Sequence, residues 1–363
     1  MSDDYWDRYR TAARACERTV FWHQPTRPAQ VLAELAAEAE RRDLWFDQYA
    51  ERGAVELLEE QLVEIFGTGG AAFFPSGTMA QQAALRVWCD RAGVRRVAMP
   101  DLAHPLVHEL DGPRLLHGLE VIHLTTGRTL STAERLAAVP GRLGAVLVEL
   151  PLRDAGCALP TWEELTALSA AARERGVALH VDGARIWEAQ PFWDRPFTDI
   201  AALADSMYVS FYKGLGGLAG AALVGPSDFL DEARQWRKRM GGTIFRMTPE
   251  AISGLVGLRE HLPRMAECLA WARALADGLA SRGLTPHPTP PHTPTFEVWA
   301  PGDAATVNDR LLAFMEREGL QLTGPWSAAD EPGRVRTELV VATPALAHDP
   351  DTVAGWVADV VGG

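Results

Sequence analysis

Between about residue 54 and residue 245 the chain alternates short apolar runs with segments of helical periodicity. RRVAM (95–99), EVIHLTT (120–126), GAVLVEL (144–150), GVALHVD (176–182), SMYVSFY (206–212) and GAALVG (220–225) read as strands, and most are apolar on both faces. A strand without a polar face has no side to turn to water, so it belongs in a sheet covered by helices above and below. VELLEEQLVEIF (55–66) and MAQQAALRVWCDRAG (79–93) carry the helical repeat such covers need. The alternation predicts an α/β domain with a mostly parallel sheet. A short glycine-rich link joins the last two strands, and a parallel return needs a long crossover, so that pair is expected to be antiparallel.

A chain of 363 residues exceeds what one small core normally holds. A long helical stretch at about 249–281 is followed by TPHPTPPHTPT (285–295), which reads as a linker or an irregular edge. TFEVWA, a helix at 304–318, ELVVAT and a last helix then suggest a smaller α+β C-terminal domain. The expected division is a helical segment at 1–50, a large α/β domain at 51–247 and the small domain at 248–363. The net charge of -13 disfavours nucleic acid and anionic membrane as partners and leaves room for a local cationic pocket. MSDDYWDRYR at the N-terminus lacks the apolar core of a signal peptide, and no apolar run is long enough to span a bilayer. The four cysteines show no metal spacing and suit a reducing compartment, so a cytoplasmic location is expected.

Four stretches carry candidate chemistry. In PSGTMAQQAAL (75–85) a Ser-Gly-Thr turn opens into a helix, where free N–H groups, the hydroxyls of Ser76 and Thr78 and the helix dipole suit an anion. Ser76 or Thr78 reads equally as a plain N-cap. In HVDGAR (180–185), Asp182 ends a buried strand, the position where ligands sit in open α/β sheets. A carboxylate there needs a cation or a proton, and an ion pair with Arg185 is one solution. In SFYKGLGG (210–217), Lys213 stands at a strand end beside three glycines; it is either a surface charge or a desolvated, nucleophilic amine able to form a Schiff base. In DLAHPLVHEL (101–110), His104 and His108 stand four apart; a metal would need a third ligand, and His104 serves equally as a flat ring stacked on a ligand.

Together these four fit one molecule. An anion cup holds a phosphate, a carboxylate keeps a ring nitrogen protonated, a lysine forms an imine, and an aromatic ring covers one face. That molecule is pyridoxal 5'-phosphate (PLP).

FFPSGTMAQ, AHPLVHE, ALHVDGARIWEA, VSFYKGLGG and RKRMGG occur in this order and spacing. The chain thereby resembles the low-specificity threonine aldolases, in the β-eliminating lyase group of fold-type-I PLP enzymes with the aspartate aminotransferase-like fold. The resemblance implies Lys213 as the Schiff-base lysine, Asp182 as the partner of the pyridine nitrogen, and His104 as the stacking ring. It implies Ser76, Gly77, Thr78 and Ser210 as phosphate ligands, and Arg185 near the ring hydroxyl and the substrate carboxylate. RKRMGGTIFRM (237–247) resembles a segment that sends an arginine, here Arg246, to a neighbouring subunit's phosphate. A homodimer or homotetramer with its active sites at subunit interfaces is thus implied. The substrate side departs from the family: ELPLRDAGCALP (149–160) lacks the family's histidine and has Arg153 and Asp154 there, FWHQPTRP (21–28) replaces a Ser-Asp-Thr stretch, and Arg334 and Arg336 are the nearest candidates for the carboxylate clamp. The activity implied is cleavage or formation of the Cα–Cβ bond of a β-hydroxy-α-amino acid, giving glycine and an aldehyde. β-Elimination or replacement on another amino acid is the alternative enzyme reading, and a PLP-binding module without turnover is the non-enzymatic one. Trp187, Phe192 and Trp193 read either as pocket aromatics or as packing.

Overall fold

The apolar runs become one seven-stranded sheet in the structure, a computed structural model that describes residues 3–363. Numbered along the chain, the strands are β1 (Gly70–Phe74), β2 (Arg96–Met99), β3 (Glu120–His123), β4 (Ala145–Glu149), β5 (Ala178–Gly183), β6 (Ser206–Ser210) and β7 (Ala221–Gly225). Their order across the sheet is β1-β7-β6-β5-β4-β2-β3. Strands β2 to β6 pair in parallel, while β7 pairs antiparallel with both β6 and β1. The antiparallel β6–β7 pair is what the short link between them demands. Strand β1, GAAFF, escapes the pattern because its glycine and alanines carry little strand signal.

The covering helices form where periodicity places them. Gly53–Phe66 buries Ala54, Val55, Leu58, Leu62 and Phe66 on one face, against β1 and the helix Thr248–Glu260. Each such leucine or phenylalanine contributes about 1.5–3 kcal/mol of transfer free energy. Gly77–Ala92 lies against β6, β7 and the helix Ser227–Arg239. Trp187 sits in this core between Phe66 and Phe197, and Trp193 is buried with its indole N–H on the Pro160 carbonyl; for both, the packing reading is the one realised.

The chain falls into two units, whose bounds differ from the divisions at 50 and 247. The larger holds 32–155 and 159–262; the smaller holds the described residues up to Val31, Gly156–Ala158 and Pro263–Gly363. Residues 32–50 and Thr248–Glu260 go with the larger unit because buried Asp47 ties them together. Its Oδ1 accepts from Met247 N–H at 2.8 Å and from Thr248 Oγ1 at 2.6 Å. The helical stretch 249–281 is two helices, Thr248–Glu260 and Met265–Ser281, parted at Leu262–Arg264. Pro263, with no N–H to donate, explains the break. In the smaller unit an antiparallel sheet runs Ser327–Ala328, Arg334–Val340, Thr295–Pro301, Thr285–His287. The proline-rich segment supplies its edge strand, where missing N–H groups do least harm. Tyr5 and Tyr9 of the helix Asp3–Ala15 join the core of this unit. Among the described residues, no helix is long and apolar enough to cross a membrane.

Gly77 is where fold and site meet. A Cβ there would stand 2.1 Å from Tyr208 Oη, on a buried ring of β6. Gly77→Ala should therefore cost about 1–3 kcal/mol, read as a lower denaturant midpoint, and combining it with Tyr208→Phe should recover part of the loss.

Candidate active site

Parallel strands end on one edge of a sheet, and ligand sites of open α/β sheets lie there. β1 shares the direction of β6, because both oppose β7. The segments that leave this edge are therefore Ser76–Thr78 after β1, the run to His104 after β2, Arg153 and Asp154 after β4, Arg185 after β5, and Lys213 after β6. Glu149 and Asp182 sit at this end of β4 and β5.

Asp182 and Glu149 are register partners on adjacent strands, and both are buried. Burial holds the Asp182 carboxyl well above the usual carboxylate range. The Ala184 N–H at 3.1 Å and the charges of Arg185 and Lys213 pull it down, while Glu109 adds repulsion. Burial, then repulsion from Asp182, also raises Glu149. Glu149 accepts two backbone N–H groups, from His104 at 2.9 Å and from Arg153 at 3.1 Å. One carboxylate thus pins the loops after β2 and β4. Two buried acids side by side favour a cationic occupant.

His104 begins the short helix His104–Val107, and its ring is about a third exposed. Its Nδ1 lies 3.1 Å from Glu109 Oε1, and Glu109 Oε2 accepts from Gln82 Nε2 at 2.9 Å. Buried Glu109 therefore fixes the ring's orientation. His108 Nε2 lies 3.0 Å from Asp154 Oδ2, and the two imidazole centroids are 5.0 Å apart. The two histidines thus serve separate carboxylates.

Ser76 is the N-cap of Gly77–Ala92, its Oγ accepting Met79 N–H at 3.3 Å, so the capping reading is realised. The first amides of the helix still face an open end. Ser210 ends β6 with its Oγ buried, and its side chain interacts with the Tyr208 hydroxyl. Lys213 stands in a turn closed by Gly216 N–H on its own carbonyl at 3.0 Å, with Gly216 at φ 66°. A Cβ at Gly217 would lie 2.8 Å from the Phe211 carbonyl oxygen, which explains that glycine. Lys213 Nζ lies 4.8 Å from the Tyr212 ring centroid. Arg185 is buried, with Nε 3.9 Å from Glu188 Oε1.

A buried acid without a full counter-charge, a buried hydroxyl at a neighbouring strand end and a helix N-terminus fit a planar cation that carries a phosphate. The description of the β-eliminating lyase family matches residues 24–300. The chain belongs to the β-eliminating lyase family. Its cofactor is PLP, and the residues at this edge fit that group. The chain is 30% identical to low-specificity L-threonine aldolase 1 of Arabidopsis thaliana over 266 residues, covering 70% of this chain and 73% of that one. It is 30% identical to the low specificity L-threonine aldolase of Escherichia coli K12 over 264 residues, covering 71% and 78%. A crystal structure of a candidate L-allo-threonine aldolase from Listeria monocytogenes EGD-E superposes with a TM-score of 0.90 at 33% identity, covering 98% and 99%.

The remaining residues named from sequence lie elsewhere or at the rim. Thr78 is exposed. Arg153 Nη1 is 3.6 Å from Asp154 Oδ1. Arg246 is exposed and lies over the Phe46 ring at 4.3 Å. Arg336 belongs to the smaller unit, with Nη1 3.4 Å from Glu297 Oε1. Sequence reasoning passed over Glu149, Glu109, Gln82 and the His108–Asp154 contact. Glu109 closes the AHPLVHE motif and so had a signal; a buried Glu149 at a strand end had the same signal as Asp182.

The raised carboxyls give a pH test. A folded-state pKa above the ordinary value means the folded protein binds more protons, so these groups cost stability as pH rises from the carboxylate range toward neutrality. In cofactor-free protein, the melting temperature of Asp182→Asn relative to native should increase from about pH 5 to about pH 8. Loading PLP should shrink that difference, because the native acid then gains its cation.

Proposed function

We propose that the chain cleaves, or forms, the Cα–Cβ bond of a β-hydroxy-α-amino acid, giving glycine and an aldehyde. The observation that carries the reading is the buried Asp182 within the field of Lys213 at the carboxyl edge of the sheet. The similarity to threonine aldolases supports the same reaction.

When bound, PLP supplies an electron sink for the electron pair released at the substrate's α-carbon. Lys213 supplies the tethering amine. Asp182 holds a proton on the ring nitrogen, and burial strengthens that interaction. His104, oriented by Glu109, presents a ring face. Ser76, Gly77, Thr78 and Ser210 bind phosphate through hydroxyls and helix N-terminal amides. Arg185, Arg153 and Asp154 serve the substrate side, Arg185 as an anchor for its carboxylate.

We assign Arg246 to the phosphate of a second subunit. Trp45, Phe46, Tyr49, Ile244 and Phe245 are exposed around it, which supports a homodimer or homotetramer. A cytoplasmic location agrees with the cysteine usage.

Borohydride reduction followed by peptide mapping should place the cofactor on Lys213. Lys213→Ala should abolish that label and lower aldehyde release by about 1000-fold or more, and a label on another lysine would refute the assignment. Asp182→Asn should lower turnover by about 100-fold or more while cofactor content falls less. Release of a keto acid in place of glycine and aldehyde would establish β-elimination instead. Mixing Lys213→Ala with Arg246→Ala subunits should restore about a quarter of native activity, since half the dimers carry one intact site. No recovery would place Arg246 outside the partner's site.

A further inference from the structure

We propose that His108, held by Asp154, accepts the proton of the substrate's β-hydroxyl group; the assignment rests on the aldol reading above. As the Cα–Cβ bond breaks, the hydroxyl oxygen becomes a carbonyl and must lose its proton, so a base within hydrogen-bond reach is required.

The other groups at this edge are committed. Glu149 holds the backbone of both loops, Asp182 is buried, and His104 Nδ1 meets Glu109. His108 and Asp154 differ from the buried acids Glu149, Asp182 and Glu109 in two ways. They meet each other, Nε2 to Oδ2 at 3.0 Å, across 46 residues of chain. Their side chains are 36% and 26% exposed, where a soluble substrate can reach, whereas Glu109 is fully buried. The His108 ring lies 5.0 Å from the His104 ring, the one assigned to the cofactor.

The pairing is built into the frame. His108 N–H donates to the His104 carbonyl at 2.9 Å, which sets it one turn after His104. Glu149 Oε2 takes His104 N–H and Oε1 takes Arg153 N–H. The same buried carboxylate therefore fixes both the turn that carries His108 and the residue before Asp154.

The chemistry follows from which nitrogen Asp154 touches. A carboxylate on Nε2 places the neutral ring's proton there and leaves the lone pair on Nδ1. Nδ1 takes the hydroxyl proton, and the oxygen's pair becomes the C=O bond of the aldehyde. The Cα–Cβ pair stays with the α-carbon, which gains a proton to give glycine. His108 then returns its proton, so no other reactant is needed. Asp154 is a positioning residue that selects the tautomer and stabilises the imidazolium.

The first test reads the ring directly. Long-range proton–nitrogen NMR of histidine-labelled, cofactor-free protein should place the His108 proton on Nε2, and Asp154→Asn should lose that fixed tautomer. A proton on Nδ1 in the native protein overturns the proposal. The second uses the loaded enzyme. His108→Gln should lower kcat for β-hydroxy-amino-acid cleavage about 100- to 10,000-fold relative to its own rate of glycine α-proton exchange in deuterated water, which has no hydroxyl to deprotonate. Equal losses in the two rates, or native cleavage by His108→Gln, overturn it. Glycine exchange without any cleavage by the native enzyme overturns the aldol reading itself, and the catalytic role with it, whatever the tautomer.

Discussion

A buried carboxylate sits at the end of β5, and the rest of the site answers to it. Asp182 is 1% exposed, and its register partner Glu149 is buried beside it. Moving an isolated charge into such a place is prohibitive, so the pair is held partly protonated or met by cations. Arg185 and Lys213 supply positive charge to Asp182 without bringing it down to the usual carboxylate range. A protonated ring nitrogen, which we propose Asp182 would hold, would complete the balance and suits this apolar sheet to a cationic cofactor. The same burial that makes the unpaired acids costly would make their pairing with a cation a strong electrostatic clamp.

Around that charge the chain builds a second layer from backbone and carboxylates. Glu149 spends both oxygens on main-chain N–H groups, so its burial is offset in part and its loops are located. Glu109 stands between Gln82 and His104 and turns a surface ring into an oriented one. These acids act through other groups. The covering helices contribute directly, since Gln82 comes from Gly77–Ala92, the helix capped by Ser76 at the carboxyl edge of the sheet.

Much of this was legible before the fold was known, for a physical reason in each case. Six of the seven sheet strands appear as apolar runs because both faces are covered. Asp182 and Lys213 stand out because a charge at the end of an apolar run, next to glycine, has few structural uses. β1 was missed because its composition is neutral. The helical run at 249–281 was read through Pro263 because periodicity continues on both sides of it. Glu149 was read as the end of a strand, although it stands where Asp182 does, one strand over.

The sequence by itself determined the α/β class, the antiparallel turn between β6 and β7, and the set of groups that fit PLP. These depend on local pattern: period, polarity and the residues flanking strand ends. Only the tertiary structure decided that His108 belongs to Asp154, that Glu149 clips two loops, and that Thr248–Glu260 goes with the larger unit. Those facts depend on which strand ends are neighbours and on which buried acid finds which N–H. Strand order and register set such pairings across 45 to 201 residues of chain, beyond the reach of any local pattern.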